Sequence, residues 1–261
     1  MSCEIALIGF GEAGKAFASA GHWHAQVFDV LAARRAAAGV MSRDTAAAAL
    51  GGAPLVLSLV TADQALAAAE VCAPHLAPGA LWCDGNSVAP ATKRAAAAAV
   101  EAAGGRYVDM AVLAPVDPAR LAVPVLLSGE AALDAQSALA ALGFTNIRVV
   151  GSQVGEASAI KMIRSVMVKG IEALTDEMMA AASAAGVTDE VLASLDASDK
   201  PQGWPQRAAY NLERMATHGA RRAAEMEESA KTLLALGVEP LMTRSTVQRQ
   251  RDAAAQRDQA A

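Results

Sequence analysis

Aromatic side chains are scarce: 4 Phe, 3 Trp and 2 Tyr make up 3% of 261 residues. A β core built from large rings is therefore excluded. With 54% hydrophobic residues, much of them alanine, closely packed helices are favoured instead. Cysteine is scarcer still. Cys3, Cys72 and Cys83 are an odd number without CxxC or histidine-linked spacing, so neither a disulfide framework nor a zinc site is expected and the three read as reduced core residues. The 4 histidines, His22, His24, His75 and His218, show no ligand pattern, and no metal is expected. Positive charge does not dominate. A net charge of −5 gives no general attraction for nucleic acid or an anionic membrane. Long apolar runs are missing too: the longest uncharged stretch, Thr45 to Ala62, is 18 residues but is broken by Gly51, Gly52 and Pro54, and reads as a helix end followed by a strand. The start, MSCEIALIGF, lacks the basic lead-in and long apolar core of a signal peptide. A cytoplasmic, soluble protein is expected.

The chain exceeds one core of about 100–150 residues, so two domains or one large one are expected. In the first half, a short aliphatic run, Glu4 to Gly9, leads into Gly9-Phe10-Gly11-Glu12-Ala13-Gly14 and then a helix-compatible AGKAFASAG. This is GxGxxG in the context of strand, turn and helix that dinucleotide binding requires. The first glycine permits the turn, the second lets a pyrophosphate approach the backbone, and the third allows helix and strand to pack closely. Helix-terminal amides then face the phosphates. A second strand, Ala25–Phe28, ends in Asp29, 20 residues after Gly9. A carboxylate there suits the ribose hydroxyls of NAD, while Arg34 and Arg35 keep NADP open.

Further strands are expected at Leu55–Leu59, Ala80–Asp84, Arg106–Met110, Pro124–Ser128 and Asn146–Val150, with helices at Ala62–Ala73, Pro90–Ala103 and Glu130–Leu142 between several of them. Such alternation predicts a doubly wound, mainly parallel sheet covered on both faces. Strand ends line the crevice of such sheets, which nominates Ser58, Val60 and Thr61 on one turn and Asn86 and Ser87 on Asp84-Gly85-Asn86-Ser87. Asn86 or Ser87 could equally cap the helix that starts at Pro90.

After Val150 only helices are expected. The stretch Gly155 to Ala185 has no proline and forms one helix of roughly 46 Å. Ser158, Lys161, Ser165, Lys169, Glu172 and Asp176 share an arc of about 80° on it, a polar stripe on an otherwise apolar rod. Its simplest reading is a solvent-facing stripe. A short helix at Asp189–Asp196, a Lys200-Pro201-Gln202-Gly203-Trp204-Pro205 loop, a long helix over Gln206–Leu236 and a last helix after Pro240 follow. Arg207, Asn211, Arg214, His218, Arg221, Arg222 and Glu225 share a face within about 100°. That face either clamps an anion or is solvated and laced by Arg221–Glu225 and Arg222–Glu225 pairs. The polar tail Arg244–Ala261 is expected to fray and to offer no chemistry.

GFGEAG near the N-terminus, DGNS at 84–87 and GEASAIKMI at 155–163 together resemble the β-hydroxyacid and 6-phosphogluconate dehydrogenase superfamily over nearly the whole chain. RMATHGARRAAEMEE at 214–228 resembles a C-terminal domain of undefined function attached to such proteins in bacteria. The resemblance implies a Rossmann domain at 1–152, an all-helical substrate and dimerisation domain at 153–261, an interdomain helix and a homodimer. It implies that Asn86 and Ser87 border the nicotinamide and substrate. It also makes Lys161 the catalytic lysine, with Arg164 beside it and Ser165 where the family usually has asparagine. The family's Ser-Gly-Gly substrate loop is replaced, after Asp109, by Val112-Leu113-Ala114-Pro115, and Val168 stands where phosphogluconate dehydrogenases have a glutamate. Both departures argue against 6-phosphogluconate as substrate. The expected activity is NAD(P)-dependent hydride transfer on a small, anionic hydroxy acid or related alcohol, with Lys161 as general acid and base and Arg214 and His218 among the groups that hold the anion. An imine-type reductase and a dinucleotide-binding, redox-responsive module without turnover stay open.

Overall fold

A computed structural model describes residues 5–198 and 201–260, with the backbone alone for Val40 and residues 257–260. The expectations for Cys3, Glu4 and Lys200 lie outside the described residues. The chain forms two compact units that divide between Ser165 and Val166.

The first unit is a seven-stranded sheet in the order β2-β1-β3-β4-β5-β6-β7. Its strands are β1 Ile5–Ile8, β2 Ala25–Phe28, β3 Leu55–Ser58, β4 Leu81–Asp84, β5 Arg106–Val112, β6 Val125–Ser128 and β7 Ile147–Gly151. Every pairing is parallel except β5 with β6. That exception has a simple cause. Residues 113–124 contain one 3₁₀ turn and no α-helix, too little chain for a crossover, so β6 must return antiparallel. Helices α1 Glu12–Ala20, α2 Ala32–Ala37, α3 Ala46–Leu50, α4 Ala65–Cys72, α5 Pro90–Ala102 and α6 Ala132–Ala141 join and cover the strands.

Alternation along each strand sends side chains to two cores. Ile5 and Leu7 pack with Phe17, Val27, Leu57, Leu127 and Phe144 on one face. Ala6 and Ile8 pack with Val56, Trp82, Val100 and Tyr107 on the other. Cys72 and Cys83 are buried free thiols, and burial is the first cause that pushes each up to about 12.

Helix α7, Glu156–Ala185, begins in this unit and runs into the second. The second unit continues with α8 Thr188–Ser198, α9 Trp204–Ala235 and α10 Leu241–Ala260. The tail expected to fray is thus a helix. It lies close along α9: a Cβ added at Gly219 would meet the Gln250 carbonyl oxygen at 2.3 Å. The stripe on α7 faces solvent only in its later half: Ser158 is buried and Lys161 and Ser165 are half-buried, whereas Lys169, Glu172 and Asp176 are exposed, as are Ile163 and Val166 outside the stripe at 73% and 76%. Among the described residues, no helix is long and apolar enough to cross a membrane.

Candidate active site

The turn after β1 carries the three glycine roles in distinct ways. Gly9 has φ +97°, and a Cβ on it would lie 2.4 Å from the Leu59 carbonyl oxygen, so only glycine fits. A Cβ on Gly14 would meet the Gly9 oxygen at 2.6 Å, which is the close approach of α1 to the turn. Gly11, by contrast, faces space in which only Arg34 Nη1, at 3.8 Å, stands within reach. The opening at Gly11 and the first amides of α1 form a cradle that fits a pyrophosphate.

Two clefts flank this turn and share Val60 and Thr61. The larger, about 920 Å³, is lined by Glu12, Ala13, Lys15, Gly85, Asn86, Ser87, Val112, Ala114 to Asp117 and Lys161. The smaller, about 320 Å³, is lined by Gly9, Phe28 to Leu31, Arg34 and Gln64, with apolar side chains of α4. Their sizes and their shared wall fit the two halves of a dinucleotide laid across the glycine turn.

Asp29 is nearly buried. Its Oδ2 accepts from the Phe10 amide at 2.8 Å and its Oδ1 from the Leu31 amide at 2.8 Å. Arg34 Nη1 approaches Oδ2 at 3.5 Å, and Arg35 donates to the Asp29 carbonyl at 2.7 Å. Asp29 therefore ties the end of β2 to the glycine turn, and two guanidinium groups border the same corner.

Ser58 and Asn86 act as a brace between the ends of β3 and β4. Asn86 Nδ2 donates to Ser58 Oγ at 2.9 Å, and its Oδ1 accepts from the Val60 amide at 2.7 Å. Capping of α5 by Asn86 or Ser87 is not what occurs: Ala89 precedes Pro90, and the helix start has no side-chain cap. Ser87 instead accepts a hydrogen bond from Lys161 Nζ at 2.6 Å. Lys161 is half-buried at the rim of the larger cleft.

The other nominated residues fall in two places, one beside this pair in the first unit and one on α9 in the second. Ser165 Oγ donates back to the Lys161 carbonyl at 2.8 Å. Arg164 Nη1 donates to the Leu113 carbonyl at 3.2 Å, and Leu113 itself packs with Ala111, Leu126 and Ala157 while Val112 lines the cleft. Arg214 and His218 line a depression of about 290 Å³ on α9 with Tyr210, Glu213, Thr217 and Arg221. On that face Arg207 lies over Trp204, Arg214 over Tyr210, and Arg221 pairs with Glu225, so much of its charge is already engaged within the helix.

A group that sequence reasoning missed lies beneath the cleft. Asp84, Lys93 and Asp109 are each fully buried. Lys93 Nζ is 3.0 Å from Asp84 Oδ1 and 3.4 Å from Asp109 Oδ1, and also donates to the Asp84 carbonyl. Tyr107 donates to Asp84 Oδ2 at 2.6 Å; burial first, then the charge of Asp84, push its hydroxyl well above the usual range and keep it a donor. The signal was present in the sequence. Lys93, Ala96, Ala97 and Val100 stand at i, i+3, i+4 and i+7 and are the buried positions of α5, so a lysine occupies the apolar stripe.

Residues 4–151 match the family described as the NAD binding domain of 6-phosphogluconate dehydrogenase, and residues 182–253 match a domain of unknown function. A solved conserved hypothetical protein from Sinorhizobium meliloti 1021 is 39% identical, with TM-score 0.61, covering 98% of this chain and 89% of its own. A conserved protein of unknown function, whose structure is described as similar to 3-hydroxyacid dehydrogenases, is 29% identical with TM-score 0.59 over 99% of both chains. An imine reductase from Streptomyces aurantiacus is 22% identical with TM-score 0.78 over 97% of this chain and 95% of its own, which shows a common fold.

Proposed function

Since the chain belongs to the family built on the NAD binding domain of 6-phosphogluconate dehydrogenase, we propose that it is an NAD(P)-dependent oxidoreductase acting on a small hydroxy acid or related alcohol. The observation that carries this reading is the 2.6 Å hydrogen bond from Lys161 to Ser87 at the rim of a cleft that Glu12 and Ala13 of the glycine turn also line. The amides and opening of residues 9–14 hold the phosphates, Val60 and Thr61 line both clefts, and Asn86 lines the larger. Bound there, NAD(P) supplies the hydride acceptor or donor. The protein has only to orient the carbinol and move one proton. Lys161 Nζ takes the hydroxyl proton during oxidation and returns it during reduction. Ser87 Oγ fixes the direction of that amine, and Ser165, one turn on, leaves oxygen lone pairs for a substrate donor. Lys15 offers an ammonium group to a substrate carboxylate, with Glu12 and Asp117 lining the same cleft and setting its orientation.

The decisive experiment is a screen of hydroxyacids, sugar acids, alcohols and cyclic imines with both nicotinamide cofactors, read at the reduced-nicotinamide band. With a substrate in hand, Lys161→Met should lower kcat by about 10²–10⁴ and leave cofactor affinity nearly unchanged. Turnover at the wild-type rate in that variant would remove Lys161 from the chemistry. Cofactor binding with no substrate turned over would instead support a binding module.

The working form is a homodimer. Supporting this, Met167, Ile171, Leu174 and Leu195 are 44–52% exposed, and an apolar groove of about 540 Å³ lies along α7 and α8 in the second unit. Light scattering that gives the monomer mass at micromolar concentration would overturn the assignment.

A further inference from the structure

We infer that Lys93, held between Asp84 and Asp109, is a positioning residue for the Lys161–Ser87 pair. The inference rests on the proton-transfer reading of that pair.

Each carboxylate beside Lys93 also accepts from backbone amides. Asp84 Oδ1 accepts from the Asn86 amide at 2.9 Å and so shapes the turn that presents Ser87. Asp109 Oδ2 accepts from the amides of Gly155 at 3.1 Å and Ser158 at 2.9 Å, the first turn of α7, one turn before Lys161. Ser128 Oγ, 3.3 Å from Asp109 Oδ2, accepts from the Ala157 amide at 3.0 Å and adds a second tie to the same turn. The serine end and the lysine end of the pair are thus fastened to one buried amine, although Ser87 and Lys161 are distant in sequence.

Stability alone does not account for the arrangement. Two carboxylates and one amine are withdrawn from water here, and replacing such a cluster by packed apolar side chains is often neutral or stabilising. Asp109 Oδ1 has no hydrogen bond that meets ordinary geometry, only the 3.4 Å approach of Lys93. What the cluster supplies that leucines could not is direction: it points fixed acceptors at specific amides of two separate segments. A hydride-transfer site needs its proton carrier held to a fraction of an ångström, and this is where that constraint is met.

The test loosens each end separately and reads the amine itself, without a substrate. Asp109→Asn weakens the α7 end, Tyr107→Phe the turn end, and Ser87→Ala removes the acceptor. Acetic anhydride labels the folded proteins, and mass spectrometry compares acetylation of Lys161 with that of the exposed Lys231. All three variants should raise relative labelling of Lys161 about three- to tenfold, the scale of one net hydrogen bond, and Asp109→Asn and Tyr107→Phe should keep NADPH affinity within about twofold of wild type. Lower melting temperatures for Asp109→Asn and Tyr107→Phe with Lys161 labelling unchanged, while Ser87→Ala shifts it, would reduce the cluster to a fold element and overturn the inference. If Ser87→Ala also leaves labelling unchanged, the Lys161–Ser87 pair itself is wrong. Should Asp109→Asn fail to fold, Tyr107→Phe alone decides.

Discussion

Glu177 offers a perturbation whose size can be worked from contacts. It lies on α7 with 9% of its surface exposed, and its carboxylate receives the start of α10. Oε2 accepts from the Met242 amide at 2.7 Å, and Oε1 from the Thr243 amide at 2.9 Å and the Thr243 hydroxyl at 2.6 Å. A side chain from one helix thereby does the work of an N-cap on another. Losing a cap costs about 0.5–2 kcal/mol, and losing a negative charge at a helix start about 0.3–1 kcal/mol more. Glu177→Ala should therefore destabilise by about 1–3 kcal/mol, and Glu177→Gln, which keeps one acceptor, by about half as much. At about 2–4 °C per kcal/mol for a chain of this size, Glu177→Ala should melt roughly 2–12 °C lower at pH 7. Burial raises the Glu177 pKa, but the hydrogen bonds from Thr243, Met242 and Leu241 outweigh it and hold the carboxyl below its ordinary value. A lowered folded-state pKa contributes stability above the unfolded value of about 4.3 and loses it as pH falls through the folded one. The gap between wild type and Glu177→Gln should accordingly be constant from about pH 8 to 5 and close below about pH 4. Circular dichroism melts across that range provide the measurement. Identical melting at pH 7, or a gap that persists in acid, would refute the capping account.

Two glycines inside helices should respond in opposite ways to alanine. Gly170 has nothing within 4 Å of an added Cβ, so Gly170→Ala should stabilise by about 0.5–1 kcal/mol. Gly219→Ala drives a methyl against the Gln250 carbonyl and should cost about 1–3 kcal/mol, with chemical denaturation reading both. Arg34 stands beside the opening at Gly11, and Arg34→Ala should weaken NADPH about tenfold while NADH changes by less than about threefold. Equal losses for both cofactors in a fluorescence titration would remove Arg34 as a 2′-phosphate contact.

What the sequence made legible was local. The GxGxxG turn, Asp29 and the strand pattern each depend on neighbours within a few residues, and each lies where expected. Helical periodicity likewise found α7 and α9. It did not tell that the first residue of the stripe would be buried, where the Ser158 amide donates to the Asp109 carboxylate of β5 and the neighbouring Ala157 amide to the Ser128 hydroxyl of β6. Contacts that join distant segments left fainter traces. Asp84, Lys93, Asp109 and Ser158 meet only after β4, α5, β5 and α7 are assembled, and nothing in their spacing announces it. Lys93 alone carried a readable hint, as a charge among alanines on a buried stripe. The direction of β6 was readable too, in the lack of a helix between Met110 and Pro124.

The two sheet-core thiols make the first unit its own stopwatch. Burial pushes each thiol up to about 12, so thiolate is scarce at pH 7, and Cys83, on β4, is fully buried. In a chain with Cys3 and Cys72 changed to serine, maleimide uptake at Cys83 would therefore count breathing events of the β-sheet itself, and saturating dinucleotide should slow the count if it clamps the strands' ends.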